Sequence, residues 1–229
     1  MRIVTDYLDH SAAVFPDKAA VVDQNRTVTF RQLKAEALHI ASYIAGHFSR
    51  CHAPVCFYLD KSAYCISAMM GVAYSGNFYT PIDTKMPAAR IEKILETLEN
   101  PLMITDKKHL PQVQKFMGDS DVLCLEDALD EPYNEQVIMD FKARMIDTDV
   151  LYVLFTSGST GNPKGVIIGH RSVIDYIEWV TETFHFNENT VLGNQAPFYF
   201  DNSILDIYTI LQSRDFISMK YLGCRLRIR

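Results

Sequence analysis

The sequence predicts an α/β fold built from largely parallel sheets flanked by helices. Apolar residues recur at helical spacing in several segments, and short apolar runs separate these segments. The run at residues 55–59 is apolar throughout, as expected of a strand that is covered on both faces. Such an alternation of strands and helices is typical of a parallel sheet with helices on its faces.

The first part of the chain begins with a helix whose apolar face ends at Pro16, because proline cannot continue a helix. A long helix is predicted over residues 30–48, and Thr29 and Gln32 have the spacing of a capping box at its start. The other elements of this part are predicted at residues 19–22 (strand), 27–29 (strand), 55–59 (strand), 66–73 (helix), 91–98 (helix), 102–105 (strand) and 122–125 (strand).

An acidic stretch without lysine or arginine, residues 119–135, predicts a solvated connection to a second part. In that second part Ser172 and Asp175 have capping-box spacing at the start of a helix. Its elements are predicted at residues 151–156 (strand), 165–170 (strand), 172–184 (helix) and 204–211 (helix).

Composition and charge narrow the classes of function. The net charge of −6 gives the chain little general attraction for a phosphate backbone, so no nucleic-acid partner is expected. No apolar run is long enough to span a bilayer, and the N-terminus lacks the pattern of a signal peptide, so no membrane partner is expected. Five cysteines without paired spacing favour reduced thiols and a cytoplasmic location.

Four potential metal ligands lie close together in the sequence: His47, Cys51, His52 and Cys56. They could form a zinc site, but their spacing matches no standard zinc pattern. The alternative is a helix end followed by a buried strand, and the apolar run at residues 55–59 favours that interpretation.

The segment T-S-G-S-T-G-N-P-K-G, residues 156–165, carries the strongest chemical signal. Its three glycines permit positive φ and close backbone approach to a ligand, and successive amides in such a loop can form an anion-binding nest. Hydroxyl groups and the positive charge of Lys164 add the other groups needed to hold a polyphosphate. The P-loop pattern does not fit, because Pro163 stands where its second glycine is required. A flexible surface hairpin with a solvated lysine is the alternative.

This segment resembles the signature of the AMP-binding, adenylate-forming superfamily, which includes acyl-CoA synthetases, peptide-synthetase adenylation domains and D-alanine–carrier protein ligases. The resemblance continues in F-P-D-K-A-A-V-V, in G-N-F-Y-T-P-I-D and in F-Y-F-D-N-S, and it covers about residues 1–212. It implies the N-terminal part of the large adenylate-forming domain. It also implies a two-step ligase that uses ATP and Mg²⁺ to adenylate a carboxylate and then passes the acyl group to a thiol, usually a phosphopantetheine arm of a carrier protein. The phosphate-binding residues implied are Thr156, Ser157, Gly158, Ser159, Thr160, Gly161, Lys164 and Gly165.

Asp201 carries the substrate prediction. The amino-acid-activating branch of the superfamily has an aspartate at this place in its F-D-x-S segment, where it pairs with the substrate ammonium. An unpaired carboxylate would be costly in the pocket of a simple acid, and an ammonium removes that cost. The alternative is that Asp201 caps the helix that follows it. By analogy, Asn202 and Leu205 would line the same pocket.

The resemblance ends near Leu211, and residues 213–229 form a divergent tail with five basic residues and one acidic residue. A frameshift or truncation is the expected origin of this tail, and a basic tail with its own role is the alternative. The catalytic lysine of the superfamily lies beyond this chain, so the chain alone is expected to be inactive. Two other functions remain open: a ligase of the acyl-CoA synthetase type for a simple carboxylic acid, and a non-catalytic nucleotide-binding module.

Overall fold

The computed structural model describes residues 2–48, 50–118, 121–156, 162–186 and 190–212, together with the backbone of residues 218–221. The helices are α1 (Thr5–Val14), α2 (Phe30–Phe48), α3 (Ala63–Tyr74), α4 (Ala88–Leu98), α5 (Leu110–Met117), α6 (Leu125–Asp130), α7 (Glu135–Arg144), α8 (His170–Phe184) and α9 (Asn202–Gln212). The strands are β1 (Ala19–Val22), β2 (Thr27–Thr29), β3 (Pro54–Tyr58), β4 (Phe78–Ile82), β5 (Leu102–Thr105), β6 (Val122–Cys124), β7 (Val150–Thr156), β8 (Lys164–Gly169), β9 (Val191–Asn194) and β10 (Ser218–Tyr221). In these parts of the chain, no helix combines the length and the apolar character needed to cross a membrane.

Six strands form one sheet in the order β6-β5-β3-β4-β7-β8. All neighbours in it pair in parallel except β7 and β8, which form an antiparallel hairpin. Strands β3 and β5 are almost completely buried, because helices cover both faces of the sheet. The predicted α/β class with a largely parallel sheet is therefore confirmed.

A smaller sheet has the order β2-β1-β10-β9. Strand β10 pairs in parallel with both β1 and β9, so the backbone of residues 218–221 lies in the middle of this sheet. These residues belong to the segment that the sequence predicts as a divergent tail. Its predicted origin in a frameshift or truncation stays a prediction.

Helices α2 and α3 approach each other closely in the core. A Cβ atom added at Gly71 would lie 2.6 Å from Cβ of Ile40, so only glycine allows the two helices to approach this closely. In the same buried cluster, the hydroxyl groups of Tyr79 on β4 and Tyr208 on α9 lie 3.0 Å apart, and both side chains are fully buried. This hydrogen bond fixes α9 against the sheet that carries the candidate site.

The predicted capping box of α2 is confirmed. The Thr29 amide donates to Oε1 of Gln32 at 2.9 Å, and the Gln32 amide donates to Oγ1 of Thr29 at 3.2 Å. Each side chain thus satisfies one orphan amide at the helix start.

The capping box predicted at Ser172 and Asp175 is wrong, because α8 already begins at His170. Main-chain carbonyls perform the capping instead. The amide of His170 donates to the Asp149 oxygen at 3.1 Å, and the amide of Arg171 donates to the Asp147 oxygen at 2.7 Å. The antiparallel pairing of β8 with β7 brings these amides to those carbonyls, and a short-range sequence pattern does not contain this information.

The acidic connection contains more structure than the sequence predicts. Helix α6 lies within it, and its Leu125 and Ala128 are buried in the core, where the helix packs against α2. The strand predicted up to residue 125 ends one residue earlier, since Leu125 opens this helix. Among its described acidic side chains, Asp127, Asp130, Glu131 and Glu135 are exposed and Asp121 and Glu126 are half-buried, which agrees with the solvated surface that the charge pattern predicts.

The four potential zinc ligands lie on three different elements. The ring of His47 stacks on Tyr43 with centroids 4.1 Å apart, and Cys56 is fully buried in β3. Within the described residues, no group of three or more His, Cys, Asp or Glu side chains is arranged to hold a metal ion. The helix end and buried strand that the sequence offers as the alternative are both present.

Candidate functional site

The hairpin of β7 and β8 carries the predicted phosphate loop. Thr156 closes β7 and is paired with Lys164 at the start of β8, and its hydroxyl group donates to the Lys164 carbonyl oxygen at 3.4 Å. The Lys164 side chain is exposed at the end of this hairpin. The predicted residues Ser157, Gly158, Ser159, Thr160 and Gly161 lie outside the described residues. The structure therefore places the two ends of the predicted loop side by side.

Gly165 has a structural reason to be glycine that the sequence does not reveal. It lies opposite Phe155 in the hairpin and is not among the described glycines with positive φ, which are Gly76 and Gly118. A Cβ atom at Gly165 would lie 2.8 Å from Cγ1 of Val153, closer than side chains normally approach. The expected use of positive φ is thus wrong for Gly165. This glycine allows close packing within the sheet.

The predicted substrate residue lies at the end of a turn between β9 and α9. The amide of Phe200 donates to the Pro197 oxygen at 3.0 Å, which closes the turn. The Ser203 hydroxyl group donates to the Phe200 oxygen at 2.7 Å and to the Phe198 oxygen at 3.4 Å. Ser203 is fully buried and so ties the turn to the first residues of the helix.

The Asp201 side chain is exposed and lies near two tyrosines. Burial and then the charge of Asp201 raise the pKa of the Tyr152 phenol to about 12. Burial and the same charge also raise the pKa of Tyr176 on α8. A carboxylate near aromatic side chains favours the binding of a cation, because a negative charge and aromatic rings both attract positive charge.

The hydrogen bonds at the start of α9 bear on the alternative role of Asp201, in which its side chain caps this helix. The Ile204 amide donates to the main-chain oxygen of Asp201 at 2.9 Å. Among the described residues, the Asp201 carboxylate itself accepts no hydrogen bond from the helix. The charge of the carboxylate acts on the two tyrosines, and the contacts at the start of α9 are made by the main-chain oxygen of Asp201.

The two other predicted pocket residues follow directly in α9. Asn202 is exposed and Leu205 is half-buried. Their spacing of three residues places them on neighbouring positions of one helix face.

Sequence reasoning missed a cluster of polar groups beneath this turn, which we call the Lys61 cluster: Lys61, Asn194, Ala196, Phe198 and Asp206. Nζ of Lys61 donates to the Ala196 oxygen at 2.7 Å and to the Asn194 oxygen at 3.4 Å. It also lies 5.1 Å from the centroid of the Phe198 ring. Asp206 accepts a hydrogen bond of 2.7 Å from Nδ2 of Asn194. More than 130 residues separate Lys61 from its acceptors, so no local pattern could have shown the contact.

A second residue from the first part of the chain lies near the same turn. Burial together with the carboxylate of Asp83, directly after β4, raises the pKa of the Tyr199 phenol. The turn before Asp201 is therefore hydrogen-bonded by Lys61, which follows β3, and lies near Asp83, which follows β4. Both lie at the carboxyl edge of a parallel sheet, where ligands bind in open α/β folds.

Strand β7 connects the two predicted subsites. Tyr152, near Asp201, and Thr156, at the phosphate loop, point to the same face of this strand because side chains alternate along it. Four residues of extended strand separate them by about 13 Å. One rigid element thus carries a residue beside the candidate substrate carboxylate and a residue of the candidate phosphate loop.

Comparison with protein families and curated proteins gives a consistent result. The model of the family described as AMP-binding enzyme matches residues 8–214. The chain is 32% identical over 214 residues to a D-alanine–D-alanyl carrier protein ligase of Staphylococcus epidermidis, covering 93% of this chain and 41% of the ligase. It is 31% identical over 204 residues to tyrocidine synthase 3 of Brevibacillus parabrevis, covering 88% of this chain and 3% of the synthase. The chain thus spans well under half the length of these relatives.

Solved structures show the same fold at lower identity. The nonribosomal peptide synthetase FmoA3, bound to α-methyl-L-serine-AMP, superposes with a TM-score of 0.81 at 22% identity, covering 95% of this chain and 23% of that one. VinN in complex with 3-methylaspartate superposes with a TM-score of 0.81 at 14% identity, covering 95% and 61% of the two chains.

Proposed function

This chain belongs to the AMP-binding enzyme family. We propose that it functions as part of an ATP-dependent ligase that adenylates the carboxylate of an amino acid. The observation that carries the amino-acid assignment is the Asp201 carboxylate, exposed beside the phenols of Tyr152 and Tyr176. A substrate ammonium there gains an ion pair and two aromatic neighbours. The relatives at 30% identity or more, a peptide synthetase and D-alanyl carrier protein ligases, support the same substrate class.

The phosphate side of the reaction is assigned to the β7–β8 hairpin. Joining a carboxylate to ATP brings two anions together, so neutralisation of charge and positioning must lower the barrier. The exposed Lys164 and the Thr156 hydroxyl group stand at the mouth of the loop and are suited to hold the departing phosphates. Magnesium would neutralise phosphate charge when bound with ATP, but we assign no residue of this chain to it, because the described residues contain no cluster that could hold a metal.

The second half-reaction is transfer of the acyl group to the phosphopantetheine thiol of a carrier protein. Its support is the similarity to a ligase whose name specifies a D-alanyl carrier protein. No surface of the chain is assigned to that partner.

Binding experiments test the substrate assignment without requiring turnover. The purified chain is titrated with a panel of amino acids and with their deaminated analogues, in the presence of a non-hydrolysable ATP analogue. We expect the ammonium to contribute about 10²-fold in affinity, because its loss leaves a carboxylate without its partner. Amino-acid-dependent ATP–pyrophosphate exchange then reports adenylation itself.

Asp201→Asn is the decisive variant, since it keeps the shape of the side chain and removes its charge. It should abolish the discrimination between amino acids and deaminated acids while leaving binding of the ATP analogue intact. Equal affinity of the unmodified chain for both substrate classes would favour a ligase for simple carboxylic acids. Nucleotide binding without any response to a carboxylate would favour a non-catalytic module.

A further inference from the structure

The turn that carries Asp201 contains few regular hydrogen bonds of its own. It leaves β9 at Asn194 and enters α9 at Asn202, and the described hydrogen bonds within it join Phe200 to Pro197, Ser203 to Phe198 and Phe200, and Ile204 to the main-chain oxygen of Asp201. Segments of this kind open at low free energy unless other groups hold them. Something outside the turn must therefore fix the position of the carboxylate at its end.

Lys61 supplies such a contact. Its ammonium donates to the carbonyl groups of Asn194, at the end of β9, and of Ala196, in the turn, and lies over the ring of Phe198. Burial lowers the pKa of Lys61, and the nearby Asp206 carboxylate opposes that shift. A half-buried ammonium loses contacts with water. Its hydrogen bonds to the two carbonyl groups and the charge of the Asp206 carboxylate must replace them.

Asp206 links the same ammonium to the helix that follows. Burial raises the pKa of Asp206, while the hydrogen bond from Asn194 and the charge of Lys61 oppose that shift. Asn194 is fully buried and donates to Asp206 at 2.7 Å. The strand before the turn and the helix after it are thus joined through one buried amide and one half-buried carboxylate.

We propose that Lys61 is a positioning residue for amino-acid binding, which holds the turn of residues 195–201 so that Asp201 faces the substrate ammonium. This inference rests on the proposed function. Lys61 acts on the substrate site through the turn, and the negative charge of Asp206 on α9 stabilises the Lys61 ammonium. Loss of Lys61 leaves the carbonyl groups of Asn194 and Ala196 without their charged donor, so the turn samples other conformations and Asp201 meets the ammonium less often.

The test compares Lys61→Met with Lys61→Arg and with Lys107→Met. Methionine keeps the length of the side chain without charge, and arginine keeps the charge and the donors. Lys107 is a matched control, because it is an exposed lysine whose partner Asp127 lies away from the turn. Hydrogen exchange of residues 195–201 is measured in the free protein, and affinities are measured for the amino acid and for the ATP analogue.

Lys61→Met should speed exchange in the turn and weaken amino-acid binding about tenfold, with ATP-analogue binding changed less than about twofold. Lys61→Arg should restore both properties, and Lys107→Met should alter neither. Unchanged exchange in the turn, or equal losses of affinity for the amino acid and the ATP analogue, would overturn the proposal.

If Lys61→Met does not fold, Asp206→Asn is tested by the same measurements, since it removes the negative charge near Lys61 with little change in volume. Absence of amino-acid binding by the unmodified protein would count against the proposed function, while the exchange measurement would still decide whether Lys61 holds the turn.

Discussion

His170 links the start of α8 to the N-terminus of the chain and makes stability depend on pH. The side chain is fully buried, and its Nδ1 accepts a hydrogen bond of 3.3 Å from the Val4 amide. Its Nε2 atom is buried without a partner among the described residues. Protonation would place a hydrogen on Nδ1, directly against the Val4 N–H group, and would add a charge to a dry environment.

Burial accordingly lowers the pKa of His170 to about 4, although the carboxylates of Asp149 and Asp6 oppose the shift. The ordinary value is 6.5, so the unfolded chain binds this proton more readily than the folded one. The stabilising effect is complete above pH 6.5 and is lost as the pH falls toward 4. The slope approaches about 1.4 kcal/mol per pH unit, so lowering the pH from 7.5 to 5 should cost about 2 kcal/mol of unfolding free energy.

The assay is urea denaturation of the unmodified protein and of His170→Asn at both pH values. Asparagine is neutral throughout and can place its side-chain oxygen where Nδ1 accepts from Val4. The unmodified protein should lose about 2 kcal/mol more than the variant between pH 7.5 and 5. The pKa values of Asp6 and Asp9 are lowered from 3.8, so these carboxylates contribute mainly below this window. A difference smaller than about 0.5 kcal/mol, or a larger loss in the variant, would refute the reasoning.

Three further predictions concern stability and are measured as shifts in the urea midpoint. Thr29→Ala removes half of the capping box of α2 and should cost about 1 kcal/mol; an unchanged midpoint would argue against the reciprocal cap. Gly71→Ala forces a methyl group against the facing helix and should cost about 2 kcal/mol or more, whereas Gly46→Ala has open space and should stabilise the protein by about 0.5–1 kcal/mol. Lys142→Met leaves the half-buried carboxylate of Asp9 with one cation fewer and should cost about 2 kcal/mol at pH 7; equal stability of the two proteins would show that the ion pair contributes nothing net.

Local sequence patterns predicted most of the helices and strands, but they predicted helix starts with mixed success. The capping box at Thr29 and Gln32 could be identified because both partners lie within one helical turn. The similar pattern at Ser172 and Asp175 was misleading, since the carbonyl groups of Asp147 and Asp149, just before β7, accept from the first amides of α8, which starts two residues earlier. The same spacing therefore marks a helix start only where no tertiary contact offers a better partner.

The sequence by itself determined the α/β class and the place of the glycine-rich loop after a buried strand. These two features depend on the spacing of hydrophobic residues and on residue chemistry, which are local properties. The choice of Asp201 as the candidate substrate carboxylate came from the resemblance of F-Y-F-D-N-S to the amino-acid-activating branch of the superfamily, and it stays a prediction. The tertiary structure alone decided that the charge of Asp201 acts on Tyr152 and Tyr176 and that Lys61 donates a hydrogen bond to the turn before Asp201. It also showed that Gly165 allows close packing against Val153. Contacts of this kind join residues far apart in the chain, and they exist only after parallel strands have brought their carboxyl ends to one edge of the sheet.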